Sequence, residues 1–428
     1  MRNSKMRMML FALSSIFVLL LPMARIVLAK LHSLYLLDFA AYCAVSRALF
    51  SGRNPFPDNM EVLMFSFGRD VPIVFPGQML VFALPGFAWS DALQIGYIVL
   101  NVLIVLFITA LTLVRACGYA WKDILVPGPR QLLFAVCASL FMSSWSVMQT
   151  MRLGQIPVIL ALCLYGIFWL PRLSFLRPFA FALVAVAKYS VLTVFAPLLF
   201  FKGHVRLCLV AFVVFVGLAL SPALCGNNLA EVYCGYSKAV VKLFEPGGVN
   251  HYGMTGITSC HLGFFRIGWL NHVMKCIAVC PVVWLLWRER KSPCISDTAL
   301  MLAFSLTMLI SYHSLHDYTL VFPLFIIRLF AFAKERNWHF FGVMALCPAY
   351  LITPGSIIER AASLIGRIPG VGAVIQLSNP TWNPNCRDLF PLTAMFAIAL
   401  AVWSLYLYRR VGNPYLFGLA QNSERMGV

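Results

Sequence analysis

Apolar runs of roughly 20 residues recur along the whole of the 428-residue chain, separated by short polar or basic stretches. A run of that length crosses the hydrocarbon of a bilayer as a helix. The pattern predicts spans near 8–29, 93–114, 131–150, 154–171, 178–200, 206–224, 268–287, 297–312, 318–332, 339–353 and 389–408. The expected fold is all-α, a polytopic membrane protein of about 10–12 transmembrane helices. Arg25 and Lys30 follow the first run and no small-residue cleavage site is clear, so it reads as a span and not a signal peptide. The Pro-rich stretch 72–90 reads as a re-entrant or broken half-span, tolerated where protein or water shields its backbone. Weakly apolar stretches lie at 40–70, 225–262 and 355–388.

Within the first of these stretches the period changes. Ala41, Val45, Ala48 and Leu49 recur at helical spacing, and Ser51-Gly52 and Asn54-Pro55 follow as stop signals. This predicts a short amphipathic helix lying on the membrane surface, with Asp38 at or near its N-terminus.

Composition agrees with the pattern. Hydrophobic residues make up 61% and charged residues 11%, against about 25% charged in soluble domains. Residues 1–428 are therefore expected to form one integral membrane domain. The net charge of +18 collects in alternating loops, among them 115–130 with Arg115, Lys122 and Arg130. Lys and Arg mark cytoplasmic loops. That rule puts both termini inside and the weakly apolar stretches outside. No folded basic domain carries the charge, which argues against a nucleic-acid partner. The 13 cysteines show no CxxC or Cys/His ligand spacing. Cys225, Cys234, Cys260 and Cys386 fall in predicted outer loops, where one disulfide would form in an oxidising compartment. No zinc signature, Walker loop, GxGxxG motif or internal repeat is visible.

Four polar islands interrupt the apolar background, and acids are scarce at 15 Asp+Glu. The first is DFAAYCAVSRALFSGRNPF from Asp38. Asp38 reads either as a helix N-cap, a position that favours Asp, or as an acid doing proton chemistry at the water–lipid boundary. The second is Arg152-Leu-Gly-Gln-Ile-Pro157, either a tight turn or an anion site. Arg152 lies on the side that the positive-inside rule disfavours. Lys188 interrupts an apolar segment near its outer end, by snorkelling or by binding phosphate. The third, SYHSLHDYTLVFP over 311–323, holds His313, His316 and Asp317; it reads either as a short polar turn exposed to water or as a functional cluster, since clustered ionisable groups at membrane depth are costly. The fourth is a Gly-rich outer loop with Asn250, His251 and Tyr252. One carboxylate, a His/Asp cluster and several cations on one membrane face suit an anionic lipid phosphate meeting a hydroxyl acceptor. Cations stabilise the leaving phosphate, and a carboxylate takes the acceptor's proton.

The order of these islands resembles glycosyltransferase family 87 of the GT-C superfold, the polyprenol-phosphate-mannose-dependent α-mannosyltransferases. The family's Asp-Phe-x-x-Tyr element and Gly-x-Asn-Pro-Phe turn are matched by DFAAY from Asp38 and by GRNPF from Gly52. Its Tyr-Pro-Pro-like, Leu-Gly-Gln, Ala-x-Lys-Pro-like and Ser-Pro-like elements are matched by VFPGQML, by Leu153-Gly-Gln155, by AKYS at Lys188 and by SYHSLHDYTLVFP. Gly77, Tyr189 and Tyr312 stand where the family has proline. The resemblance covers about 30–330 as a GT-C-like catalytic module, leaving 331–428 for further C-terminal spans and an outer loop at 354–388.

The resemblance implies an inverting hexosyl transfer, of mannose in particular, from a polyprenyl-phosphate sugar to a lipid or glycan acceptor. The site would open on the extracytoplasmic side of a bacterial cytoplasmic membrane. Asp38 would be the general base. Arg152, Gln155, Lys188, His313, His316 and Asp317 would hold the donor phosphate and sugar. Tyr42, Asn54 and His251 are acceptor or loop candidates. One acid in the first loop, rather than an Asp-x-Asp pair, implies no essential metal, and no cofactor beyond the donor is expected. Two other readings stay open: a lipid-linked glycan transporter or flippase, and a glycan polymerase or ligase. Ionisable groups gathered at span ends speak against the first. A late outer loop without His speaks against the second.

Overall fold

The structure, a computed structural model, describes residues 2–16, 36–54, 56, 91–170, 175–187, 189–201, 203–244 and 319–334, with scattered positions elsewhere. The elements formed by these residues are helices: α1 (Arg2–Ser15), α2 (Leu37–Phe50), α3 (Asp91–Cys117), α4 (Trp121–Leu125), α5 (Pro129–Ser143), α6 (Trp145–Leu153), α7 (Pro157–Trp169), α8 (Arg177–Ala187), α9 (Tyr189–Phe201), α10 (Val205–Leu224), α11 (Leu229–Phe244) and α12 (Phe322–Lys334). Among the described residues two helices are long and apolar enough to cross a bilayer, Ala92–Arg115 and Val205–Leu224. They coincide with the predicted spans 93–114 and 206–224. This is the architecture of a polytopic all-α membrane protein. The predicted half-span at 72–90 and the later spans 268–287, 297–312, 339–353 and 389–408 fall largely or wholly outside the described residues.

Two compact units are distinguished. One comprises Met1–Arg25, Val105–Met148 and Met254–Val428. In it α1 and α4 pack on α5, and Phe141 stacks on Phe322 with ring centroids 4.8 Å apart. The Thr109 and Thr112 hydroxyls donate to carbonyls four residues back, each at 2.7 Å, so neither is left unpaired in an apolar setting. The loop after α3 is closed by Asp123, whose carboxylate accepts the Ala120 N–H at 2.9 Å and pairs with Arg130 at 2.8 Å. Ala120 has no side-chain acceptor, so only half of a capping box is present at α4.

The single span expected over 131–150 is two helices. Ser144 ends α5 in an extended conformation (φ −63°, ψ 144°). Its hydroxyl donates to the Phe141 carbonyl at 2.6 Å and accepts the Val147 N–H at 3.4 Å. A serine in this place satisfies donors of the new helix that the old one cannot reach, which makes the break stable.

The other unit comprises Ile26–Ile104 and Gln149–Gly253. Its centre is α8, which contacts α7, α9 and α10. The sequence RPFAFALVAVA explains this: Ala182, Val184, Ala185 and Val186 are buried and small, so neighbouring backbones come close. Helix α10 leaves Leu209, Phe212, Val213 and Leu220 exposed, an apolar face suited to lipid. Helix α11 packs on α10, where the Tyr233 hydroxyl donates to the Ala219 carbonyl at 2.5 Å. The expected span 178–200 is helical in α8 and α9, and Lys188 between them lies outside the described residues. Cys225 and Cys234 are both free thiols, while Cys260 and Cys386 lie outside the described residues.

Candidate functional site

Two predicted islands, Asp38 onward and Arg152–Gln155, meet inside the second unit. Helix α6 ends in a turn built on Gly154, whose φ is +75°. The Gln155 N–H reaches back to the Thr150 carbonyl at 2.9 Å. This is the six-to-one bond of a glycine-terminated helix. Pro157 then opens α7 at its first position, where a missing N–H is harmless. The Gly154-Gln155 segment is thus the tight turn that its spacing allowed.

Glycine in this turn also lets α2 approach. A Cβ at Gly154 would overlap Phe39 Cβ and lie 2.9 Å from the Phe39 backbone nitrogen. The start of α2 is pinned at two points on this turn and at a third on α3. The Leu36 N–H donates to the Arg152 carbonyl at 2.5 Å. The Tyr42 hydroxyl donates to Gln155 Oε1 at 2.9 Å. Phe39 stacks on Tyr97 of α3 with centroids 4.4 Å apart and planes 28° apart, and the Tyr97 hydroxyl donates to the Gln155 carbonyl.

Asp38 is therefore near the N-terminus of a short helix, as the sequence suggested, but it does not cap it. The cap position belongs to Leu36, a fully buried residue in the left-handed region (φ 51°) with no side-chain cap. An L-residue there costs roughly 1–2 kcal/mol, offset here by burial and by the bond to Arg152. Asp38 is the second helical residue, in the first turn, where a carboxylate is favoured by the helix dipole. The cap reading of Asp38 is corrected, because the N-cap position is held by Leu36, two residues earlier.

Arg152 lies in the last turn of α6 and is partly buried. Its Nε is buried without a hydrogen-bond partner among the described residues. A buried guanidinium nitrogen left in this state is costly unless an anion or acceptor meets it.

Asn54 has a structural job. Its Oδ1 accepts the Phe56 N–H at 3.0 Å and its Nδ2 donates to the Glu231 carbonyl at 3.3 Å. This turn, entered through Gly52 at φ +67°, drives Phe56 into a cluster with Val45, Leu49 and Val232, packed against Tyr236. Asn227 ties the same end of α2, donating to the Leu49 carbonyl at 2.6 Å. The predicted stop at Ser51-Gly52 is where α2 ends.

The site residues thus divide. Tyr42, Arg152 and Gln155 come together around the helix start that carries Asp38, and Asn54 sits at the helix's far end. Lys188, His251, His313, His316 and Asp317 lie outside the described residues. Sequence reasoning missed Tyr97. Its signal was present: Gln94, Tyr97 and Asn101 put polar groups three and four apart in an otherwise apolar span, on one helix face.

Comparison with known proteins gives one match. The model of a family described as Glycosyltransferase family 87 matches residues 76–312, more than half of the chain. The matched stretch holds Tyr97, Arg152, Gln155 and Lys188. Asp38, Tyr42 and Asn54 precede it, and His313, His316 and Asp317 follow it. No curated protein and no solved structure matches the chain.

Proposed function

The chain belongs to glycosyltransferase family 87, a membrane glycosyltransferase family by this match, and from that premise we propose the reaction it performs. A hexosyl unit, mannosyl by the resemblance set out above, passes from a polyprenyl-phosphate carrier to a hydroxyl of a lipid or glycan acceptor. The carrier enters from the bilayer on the extracytoplasmic side of a bacterial cytoplasmic membrane.

The observation that carries this reading is the junction of α2 with the Arg152–Gln155 turn. It holds the helix start bearing the acid against the turn bearing a guanidinium whose buried Nε has no partner among the described residues. The two groups supply opposite needs of one displacement. Asp38 accepts the acceptor hydroxyl's proton as its oxygen attacks the anomeric carbon. The bond from that carbon to the phosphate oxygen breaks, and the electron pair leaves with the carrier phosphate. Arg152 binds that phosphate and stabilises its growing charge. Attack opposite the leaving phosphate inverts the anomeric centre. Gln155 Oε1 already accepts from Tyr42, so contact with the sugar runs through its Nε2 amide. Lys188, His313, His316 and Asp317 are assigned to the donor phosphate and sugar by the resemblance, and His251 stays an acceptor or loop candidate.

The test is transfer from polyprenyl-phosphate-mannose by the purified protein and by Asp38→Asn. A positioned general base contributes about 10²–10⁴-fold, so turnover should fall by that range. Turnover within a factor of a few of wild type would remove Asp38 from the role. Arg152→Gln should raise the donor KM with the protein still folded.

A further inference from the structure

We infer that Tyr97 is a positioning residue: its hydroxyl and ring lock the Asp38 helix start and the Arg152–Gln155 turn into one rigid body. The inference rests on the role of Asp38 proposed above and adds a residue that no motif contains. Tyr97 is almost fully buried, at 5% exposed, so its interactions with these segments are shielded from water. It touches both segments at once. Its hydroxyl donates to the Gln155 backbone carbonyl. Its ring lies against Phe39, the residue after Asp38.

The surrounding geometry shows why such a lock is needed. Asp38 sits in the first turn of a 14-residue helix, and first turns fray because their N–H groups lack intrahelical partners. Leu36 begins this one in a left-handed conformation that the chain would otherwise avoid. Three contacts from the 152–155 turn hold it: the Arg152 carbonyl on Leu36, Gly154 beneath Phe39, and Gln155 on Tyr42. The turn is itself a loop between two helices, and Gln155 at its tip is the residue that Tyr97 fixes. Tyr97 comes from the interior of α3, a continuous helix of 27 residues, the stiffest element available to set a position. Displacement of a catalytic group by about 1 Å costs on the order of 10²-fold in rate. A group that pins both the acid's helix and the cation's turn therefore acts on rate without touching substrate.

The experiment compares Tyr97→Phe with Tyr233→Phe. Both remove one hydroxyl that donates to a backbone carbonyl in the same unit, and Tyr97→Phe keeps the ring on Phe39. Amide exchange of the full chain in micelles is read first. Tyr97→Phe should speed exchange by about 2- to 10-fold, the worth of one hydrogen bond, in 36–42 and in 153–156 together. Tyr233→Phe should leave both segments at wild-type rates. Loosening of only one segment, or of neither, overturns the lock.

Turnover with polyprenyl-phosphate-mannose is read second. Tyr97→Phe should lower kcat by about 10-fold or more in the wild-type background and by less than about 2-fold when Asp38 is already Asn. Equal losses in both backgrounds would mean that Tyr97 does not act through Asp38. If Asp38→Asn alone keeps full turnover, the base assignment fails, and the exchange result still decides the lock.

Discussion

Replacing Gly154 by alanine adds one methyl group at the point where α2 meets the α6–α7 turn. Two penalties combine. The residue has φ +75°, and an L-residue in that region costs roughly 1–2 kcal/mol. The new Cβ would also overlap Phe39 Cβ and lie 2.9 Å from Phe39 N and 3.2 Å from Phe39 Cα. Two of these atoms are backbone, so a rotamer change does not relieve the clash and the helix start must shift. Overpacking of this kind costs roughly 1–3 kcal/mol, for a total of about 2–5 kcal/mol. Gly166 is the matched control. It lies inside α7, and a Cβ there meets nothing within 4 Å. Gly166→Ala should be neutral or more stable by up to about 1 kcal/mol, since alanine restricts the unfolded chain. Unfolding free energies from SDS titration in mixed micelles separate the two. The shift of Phe39 also moves the neighbouring Asp38, so Gly154→Ala should lose turnover while still partly folded. Gly154→Ala within about 0.5 kcal/mol of wild type, with undiminished turnover, would refute the close approach of turn and helix.

Two further outcomes follow from other parts of the chain. Phe56→Ala empties a site that is 4% exposed between α2 and α11; it should lose about 3–5 kcal/mol of stability and speed proteolysis at 45–56. Asp123 has its carboxyl held below the ordinary value of 3.8, first by the Ala120 N–H and then by Arg130. A depressed carboxylate contributes stability above that ordinary value and loses it as the pH falls through the lower folded value. Exchange at 120–125, corrected for intrinsic rates, should therefore rise as the pH drops below about 4 and stay raised and pH-independent in Asp123→Asn.

How far the sequence reached depended on run length. Long, uniformly apolar stretches such as Ala92–Arg115 and Val205–Leu224 left one solution, a spanning helix, and their ends fell within a few residues of expectation. The end of α2 was legible because Ser51, Gly52 and Asn54 have local chemistry. Breaks inside apolar runs were not. Ser144 interrupts 131–150 through hydrogen bonds to its neighbours that a hydropathy average does not register. The sequence put Asp38's helix and Arg152–Gln155 on one membrane face and, by the resemblance, in one site, without showing how they touch. Their contact depends on Gly154 fitting beneath Phe39 and on Leu36 adopting a left-handed turn, both tertiary facts. Asn54 was legible as an acceptor or loop candidate, but the turn that its side chain builds to Phe56 and Glu231 depends on a contact 177 residues away.

The distances along the chain between α2 and its anchors set the timing of assembly. Tyr42 waits for Gln155, 113 residues later, and Leu49 waits for Asn227, 178 residues later. At synthesis rates of about 5–20 residues per second, the Gln155 anchor arrives after roughly 6–23 s and the Asn227 anchor after roughly 9–36 s. The segment with the acid is made early and fixed late, its N-terminal end before its C-terminal end. A ribosome halted before Gln155 emerges would carry this segment without its contacts to the 152–155 turn, and the junction that holds the start of α2 would be incomplete in every such nascent chain.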